Sequence, residues 1–287
     1  GAAATHGVER IKVVEVEAAM VPAARLFSEF NGNVLEDPRV EISVNDARND
    51  LEFSPDTYDV IASEPSNPWM TVAANLFTED FFHMARTRLR PGGIFCQWLH
   101  TYYLPTEDMR SIIGAFSSAF PHVWVFETFE GIDLLMLGSD RPLELDLERL
   151  EPRMSDLKIR MDLARIDVRS PVDILPMFRL GDAEVDRVVD GAPRNTDDNA
   201  RVEFSAPKAL YADTLQANLD YLERFAADPI SYARSGTVFL SGEEFRLELA
   251  KAWARRGNPE RAASEARTLL GGPLKEDAEA FLKSLNL

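Results

Sequence analysis

The sequence predicts an α/β fold: an open, parallel sheet with helices between its strands, followed by an all-helical C-terminal region. Three observations predict it. Short β-branched runs recur with helical stretches between them, as βαβ units require, and they lead into the carboxylates Glu15, Asp46 and Glu64. The run Tyr58-Asp-Val-Ile-Ala-Ser63 breaks at Glu64 into the loop Pro65-Ser-Asn-Pro68, and ligands of open sheets bind outside the carboxyl ends of the strands. Beyond Asp140 the alternation stops, and Pro at 142, 152, 171, 176 and 193 divides residues 141–194 into short helices.

Each element follows from its residues. Ile11-Lys-Val-Val-Glu-Val-Glu17 reads as the first strand and Ala18 to Phe30 as the helix after it. Val40-Glu-Ile-Ser-Val44 alternates as a strand and runs into Asn45-Asp46-Ala47-Arg48. Leu76 to Leu89 reads as a helix with Phe77, Phe81, Phe82 and Met84 on its apolar face, stopped by Pro91-Gly92-Gly93. Ile94 to Trp98 is a strand, and Thr106 to Phe120 a helix capped by Thr106, with Glu107 and Asp108 suiting its positive end. Val123 to Phe129 and Ile132 to Leu137 close the sheet as an antiparallel pair around Glu130-Gly131. No second sheet is expected over 141–194, and from Leu215 onward the chain reads as almost all helix. Phe245 to Leu270, with Ala250, Ala254, Gly257-Asn-Pro259 and Ala262-Ala263 where two helices would touch, resembles one tetratricopeptide-type hairpin. Such a hairpin docks on the rest of the chain or offers a surface to a partner protein.

Composition narrows the function classes. With 287 residues, 45% of them hydrophobic, the chain can build one large or two modest cores. A formal charge of -17 argues against a nucleic-acid partner, whose phosphates call for clustered Lys and Arg. Cys96 is the sole cysteine, which excludes an internal disulfide framework and a thiolate metal cluster and fits a cytoplasmic location. His6, His83, His100 and His122 show no metal-ligand spacing, so no metal is expected. No apolar run approaches the roughly 20 residues of a spanning helix.

Residues 1–140 resemble the polyamine aminopropyltransferase (spermidine synthase) family, within the Rossmann-like class of S-adenosylmethionine-dependent transferases. The resemblance rests on Val14-Glu-Val-Glu17, Asn45-Asp-Ala47, Tyr58-Asp-Val-Ile61 leading to Glu64-Pro-Ser-Asn-Pro68, and Pro91-Gly-Gly-Ile-Phe-Cys-Gln97. It is similar in particular to bacterial members that carry Ser-Glu-Pro-Ser-Asn-Pro-Trp and are often fused behind a membrane-embedded region. The resemblance implies a methyltransferase-type sheet, and an inner-membrane anchor on a longer form of the protein. Domains are then expected at 1–140 (Rossmann-like), 141–210 (helices over the active site) and 211–287 (helical tail).

The resemblance also implies roles for residues. Glu15 would accept hydrogen bonds from the ribose hydroxyls of the co-substrate, against a competing reading as a solvated strand-end charge; Glu17 points to the opposite face. Asp46 would accept from the adenine amino group with Ala47 behind the ring, and an N-cap role for Asp46 is compatible with this. Glu64 would be the catalytic carboxylate and also touch the co-substrate. Asn67 stands where the family carries a second Asp, and Trp69 adds apolar surface. Gln97, Tyr102 and Tyr103 are candidate walls of the amine pocket, since aromatic faces suit alkylammonium groups, or else these aromatics pack against later helices. Asn195-Thr-Asp-Asp-Asn199 also resembles the family and offers Asp197 and Asp198 as substrate ligands, or is a turn and helix cap.

The function implied is transfer of an aminopropyl group from decarboxylated S-adenosylmethionine to an amine or polyamine. Two alternatives stand beside it: methyl transfer from intact S-adenosylmethionine, and a degenerate domain serving cytosolic interaction or sensing. Gly1-Ala-Ala-Ala-Thr-His6 resembles the helix after the family's glycine-rich nucleotide loop, with Gly1 its last glycine. The first strand and most of that loop are therefore expected upstream, and these 287 residues alone are expected to carry a half-built cofactor site with little activity.

Overall fold

A computed structural model describes residues 1–128, 131–234 and 242–285. Two compact units emerge, one of 1–56 with 149–169 and the other of 57–148 with 170–287. Among the described residues, no helix is long and apolar enough to cross a membrane.

In the first unit, β1 (Ile11–Glu15) and β2 (Val40–Val44) form a two-stranded parallel sheet with Ile11 opposite Val40 and Glu15 opposite Val44. The helix expected over 18–30 is instead three short turns, Met20–Ala23, Ala24–Phe27 and Ser28–Asn31. Leu26, Phe27 and Phe30 are exposed there, so no packed face supports a continuous helix. Helix α1 (Ala47–Phe53) follows β2, its first turn held by the Asp46 carboxylate, which accepts from the Asn49 N–H at 2.8 Å. One ion pair ties these elements together: Lys12 of β1 donates to Asp50 of α1 at 2.6 Å, and Ser43 of β2 donates to the other Asp50 oxygen at 3.2 Å. Arg39 gathers the leading segment, donating to the carbonyls of Ala4, His6 and Val8, while its guanidinium holds the Asp37 carboxyl down to about 2.

The second unit holds β3 (Tyr58–Ser63), helix α2 (Glu79–Arg86), β4 (Leu89–His100), helix α3 (Thr106–Ala119), β5 (His122–Thr128) and β6 (Asp133–Ser139). Then come β7 (Leu145–Asp146), β8 (Phe178–Leu180), α4 (Asp182–Val189), α5 (Leu215–Glu223), β9 (Ala233–Arg234), α6 (Glu243–Arg255), α7 (Pro259–Arg267) and α8 (Lys275–Ser284). The sheet order is β3-β4-β6-β5-β8, with β3 and β4 parallel and the remaining pairs antiparallel. The β5/β6 pair is antiparallel as expected, with β6 lying between β4 and β5 and β8 beyond β5 at the edge. Phe129 and Glu130, placed by sequence in that pair and its turn, lie outside the described residues.

Side-chain alternation organises β4. Phe95, Gln97 and Leu99 face the helices, where Phe95 meets Phe81, Phe82 and Phe116 at ring separations of 6.2, 6.1 and 6.0 Å. Cys96, Trp98 and His100 face the other way. Gly138 of β6 must lack a side chain, because a Cβ there would stand 2.5 Å from the Phe120 ring.

Three expectations need correction. The region after 140 is not all helical: Phe178-Arg-Leu180 joins the sheet beside β5, with Phe178 and Leu180 buried, and β7 pairs with β9. Thr106 does not cap α3; Pro105 occupies the cap position and the Thr106 hydroxyl donates to the Asn218 side-chain oxygen at 2.6 Å. The strand read as 94–98 runs from Leu89 to His100, with an irregularity where Tyr58 and Val60 of β3 face Leu89 and Ile94. The tail does form the expected helical hairpin, α6 packing on α7, with Ala250, Ala262, Ala263 and Ala266 wholly buried.

Candidate functional site

The predicted site residues fall into two groups, one on each unit. In the first unit the register that sets Glu15 opposite Val44 puts Glu15 and Asp46 at the same, carboxyl end of the β1/β2 sheet. The Asn45 N–H donates to the Glu15 carbonyl at 3.1 Å, and a Glu15 carboxylate oxygen accepts from the Glu17 N–H at 2.8 Å. Glu15 and Asp46 are both half-buried. Asp46 serves as N-cap, and Ala47 is the first residue of α1, a position with ordinary negative φ where a methyl group is tolerated. Gly1 caps a single helical turn, Ala2–Thr5, and a Cβ on it would lie 2.6 Å from the Asn31 carbonyl oxygen, so its glycine has a packing cause of its own.

In the second unit, Glu64 follows directly on β3, whose last residue Ser63 lies opposite Gln97 of β4. Its carboxylate is exposed and close enough to Cys96 to add to the effect of burial, the two together pushing the thiol up to about 11. Down the loop, the Asn67 side-chain nitrogen is buried without a hydrogen-bond partner. Trp69 reaches the end of β4, its ring edge-on to His100 at 4.6 Å and 6.3 Å from both Tyr102 and Tyr103. His100 in turn stacks obliquely with Tyr102 at 4.8 Å and Trp98 at 5.5 Å.

His100 is the residue that sequence reasoning missed. It is 0% exposed, and neither ring nitrogen has a hydrogen-bond partner. Burial drives its pKa down to about 4, so the ring is neutral at physiological pH. The sequence signal was the alternation Cys96, Trp98, His100, which puts the imidazole on the face of the aromatics and away from the phenylalanine core. Gln97 lies on the helix-covered face, wholly buried; its amide nitrogen donates to the Trp98 carbonyl at 2.9 Å and its amide oxygen is unpartnered.

The loop carrying Tyr102 and Tyr103 is held from α5. Asn218, itself 0% exposed, donates to the carbonyls of Thr101 and Leu104 at 2.7 and 2.8 Å, and Thr214 accepts from the Leu104 N–H at 2.9 Å. Between those anchors Tyr103 sits at φ 49°, a left-handed conformation that bulky residues rarely adopt.

Asp197 and Asp198 are placed otherwise. The Asp197 carboxylate accepts from the Thr78 hydroxyl at 2.7 Å and its N–H donates to Asp80 at 2.8 Å, joining this turn to the start of α2. Asn195 and Asn199 cap the turn itself, Asn195 accepting from the Val202 N–H and Asn199 from those of Thr196 and Arg201. Asp198 is exposed.

Residues 4–129 match the family model described as the spermine/spermidine synthase domain. A polyamine aminopropyltransferase of Pectobacterium carotovorum subsp. carotovorum is 34% identical over 183 residues, covering 61% of this chain and 63% of that protein. Putrescine N-methyltransferase 2 of Nicotiana attenuata is 23% identical over 189 residues, covering 60% and 50%. Among solved structures, a spermidine synthase from Thermotoga maritima superposes with a TM-score of 0.48 at 19% identity, over 65% of this chain and 62% of that one. The chain spans 61%, 50% and 50% of three such curated relatives, little more than half their length.

Proposed function

We propose, on the premise that residues 4–129 belong to the spermine/spermidine synthase family, that the protein transfers an aminopropyl group from decarboxylated S-adenosylmethionine to an amine. The observation that carries the reading is the placement of Glu64 at the open end of β3, beside the β4 end where Trp69, His100 and Tyr102 assemble. The remaining roles are part of the same proposal: Glu15 takes the ribose hydroxyls, Asp46 the adenine amino group, and Trp69 with Tyr102 the alkyl chain of the acceptor.

The chemistry asks little beyond position and one proton acceptor. The acceptor nitrogen's lone pair attacks the methylene next to the sulfonium, the C–S bond breaks, and its electron pair stays on sulfur as a neutral thioether. The nitrogen's surplus proton goes to the Glu64 carboxylate. Alignment supplies most of the acceleration and proton removal about 10²- to 10⁴-fold. Asn67 and the neutral His100 offer the amine hydrogen-bonding groups without charge. An acceptor less cationic than a free diamine therefore suits this pocket.

The test is the product formed. With decarboxylated S-adenosylmethionine and putrescine, spermidine, 1,3-diaminopropane or propylamine in turn, the purified protein should release methylthioadenosine, and Glu64→Gln should slow release at least about 100-fold. S-adenosylhomocysteine from intact S-adenosylmethionine would establish methyl transfer in its place. Undiminished turnover in Glu64→Gln would remove Glu64 from the proton-accepting role.

A further inference from the structure

The second unit contains a cavity of about 360 Å³ on the side of the sheet where the helical tail packs, lined by residues of β5, β8, α5 and the α6–α7 turn. Its volume lies at the small end of the range for small-molecule pockets, about 300–1,000 Å³. Four charged side chains line it, Glu127 and Glu223 against Arg179 and Arg256, so the lining has no net formal charge.

Two of these groups are left with hydrogen-bonding capacity unused. Arg179 forms an ion pair with Glu223 at 2.6 Å through one terminal nitrogen, but its Nε–H, buried, has no hydrogen-bond partner. That Nε stands 3.3 Å from a Glu127 oxygen without hydrogen-bond alignment. Burial raises the Glu127 pKa, Arg179 opposes that rise, and Glu223 adds to it. A buried donor or acceptor left unmade costs about 1–3 kcal/mol, more when charged. The site is therefore built to receive a donor at Glu127 and an acceptor at Arg179, side by side. Apolar walls accompany them: Trp253, Leu219, Pro176 and Met177.

We propose that this cavity binds a small zwitterion of the α-amino-acid type, its ammonium on Glu127, its carboxylate on Arg179 and Arg256, and an apolar side chain against Trp253 and Leu219. A diamine would bring its second cation to the two guanidiniums, and a dicarboxylate its second anion to the two carboxylates. Only a ligand with both signs a few bonds apart matches the lining. The site lies outside the proposed transfer chemistry and stands or falls without it.

The test uses the whole chain and L-leucine as probe, titrated by calorimetry and by the Trp253 indole N–H signal in NMR, with no co-substrate present. Saturable binding at millimolar concentration or below is expected, with leucine amide and N-acetyl-leucine, each lacking one charge, at least tenfold weaker. Putrescine and succinate should leave the Trp253 signal unmoved. Glu127→Gln should weaken leucine binding at least tenfold. Leu219→Trp, which fills the cavity and leaves the charges in place, should abolish it, and the NMR spectra of both variants report whether the fold persists. No binding of leucine at 10 mM, equal binding of the blocked analogues, or full binding by a folded Leu219→Trp variant would each overturn the proposal. The first outcome would mean that Glu127 and Arg179 close on one another.

Discussion

His100 links burial to pH. Its pKa falls from 6.5 to about 4 because the folded chain keeps the ring from water. Between those values the unfolded chain binds a proton that the folded chain does not, so stability rises with pH across that window. The contribution is intact above about pH 6.5 and is lost as pH falls towards 4. At about 1.4 kcal/mol per pK unit it totals on the order of 3 kcal/mol. His100→Phe keeps the ring, removes the proton, and removes two unsatisfied nitrogens. Urea denaturation at pH 7.5 and pH 5 should show the native protein losing more stability on acidification than the variant, by about 1–2 kcal/mol. Equal losses would mean that His100 titrates normally. If His100 also contacts the acceptor, the variant should bind amines more weakly at pH 7.5, where its stability is not in question. Only half of this placement was legible in the sequence: alternation with Cys96 and Trp98 sets the face of His100, and the rings of Trp69, Trp98 and Tyr102 around it reveal its burial.

At the scale of elements, the legible parts were those whose causes are local. Strand alternation located β1, β2 and β3 and the carboxylates at their ends, and the Pro91-Gly92-Gly93 turn located the start of the β4 core. Asp46 as an N-cap followed from residue type and position. What sequence could not supply depends on distant partners. β8 is three residues between Pro176 and Gly181, too short for a period, and it exists because Phe178 and Leu180 find a place at the sheet edge. The turn at 195–199 offered both a substrate and a capping reading, and its Asn195 and Asn199 contacts match the capping one. Asn218 acts across more than 110 residues of chain on the loop 101–104. Asn218→Ala would leave the Thr101 and Leu104 carbonyls without their side-chain donor and release the strained Tyr103. A loss of about 1–3 kcal/mol by denaturant titration is expected, together with weaker amine binding through the freed Tyr102. Unchanged stability would show that water replaces the amide and that the Tyr103 conformation has another support.

Across the whole molecule, burial is divided unequally. Parallel strands are normally covered on both faces, yet no residue of β1, β2 or β3 is fully buried, and Val13, Val44 and Val60 are 40%, 55% and 62% exposed. In the first unit the buried residues among those described are Asp50, Met154 and Val168. The second unit holds the phenylalanine cluster around Phe95 and a five-stranded sheet. Each Å² of apolar surface left in water forgoes about 25 cal/mol, and a two-stranded sheet is marginal by itself. The cofactor-binding carboxylates read from the sequence, Glu15 and Asp46, therefore stand on the less stable framework, and Glu64 on the firmer one. Local opening should cost less free energy in the first unit, since little apolar surface is exposed when it opens. Hydrogen exchange at pH 7 should show the amides of 11–15 and 40–44 exchanging well before those of 94–99 and 134–138, by at least tenfold in rate. Addition of methylthioadenosine should then slow the first set and leave the second nearly unchanged, because a ligand that grips Glu15 and Asp46 stabilises only the state in which β1 and β2 are formed. Equal protection of the two sets without ligand would refute the unequal division, and slowing confined to the second set would move the nucleoside away from Glu15 and Asp46.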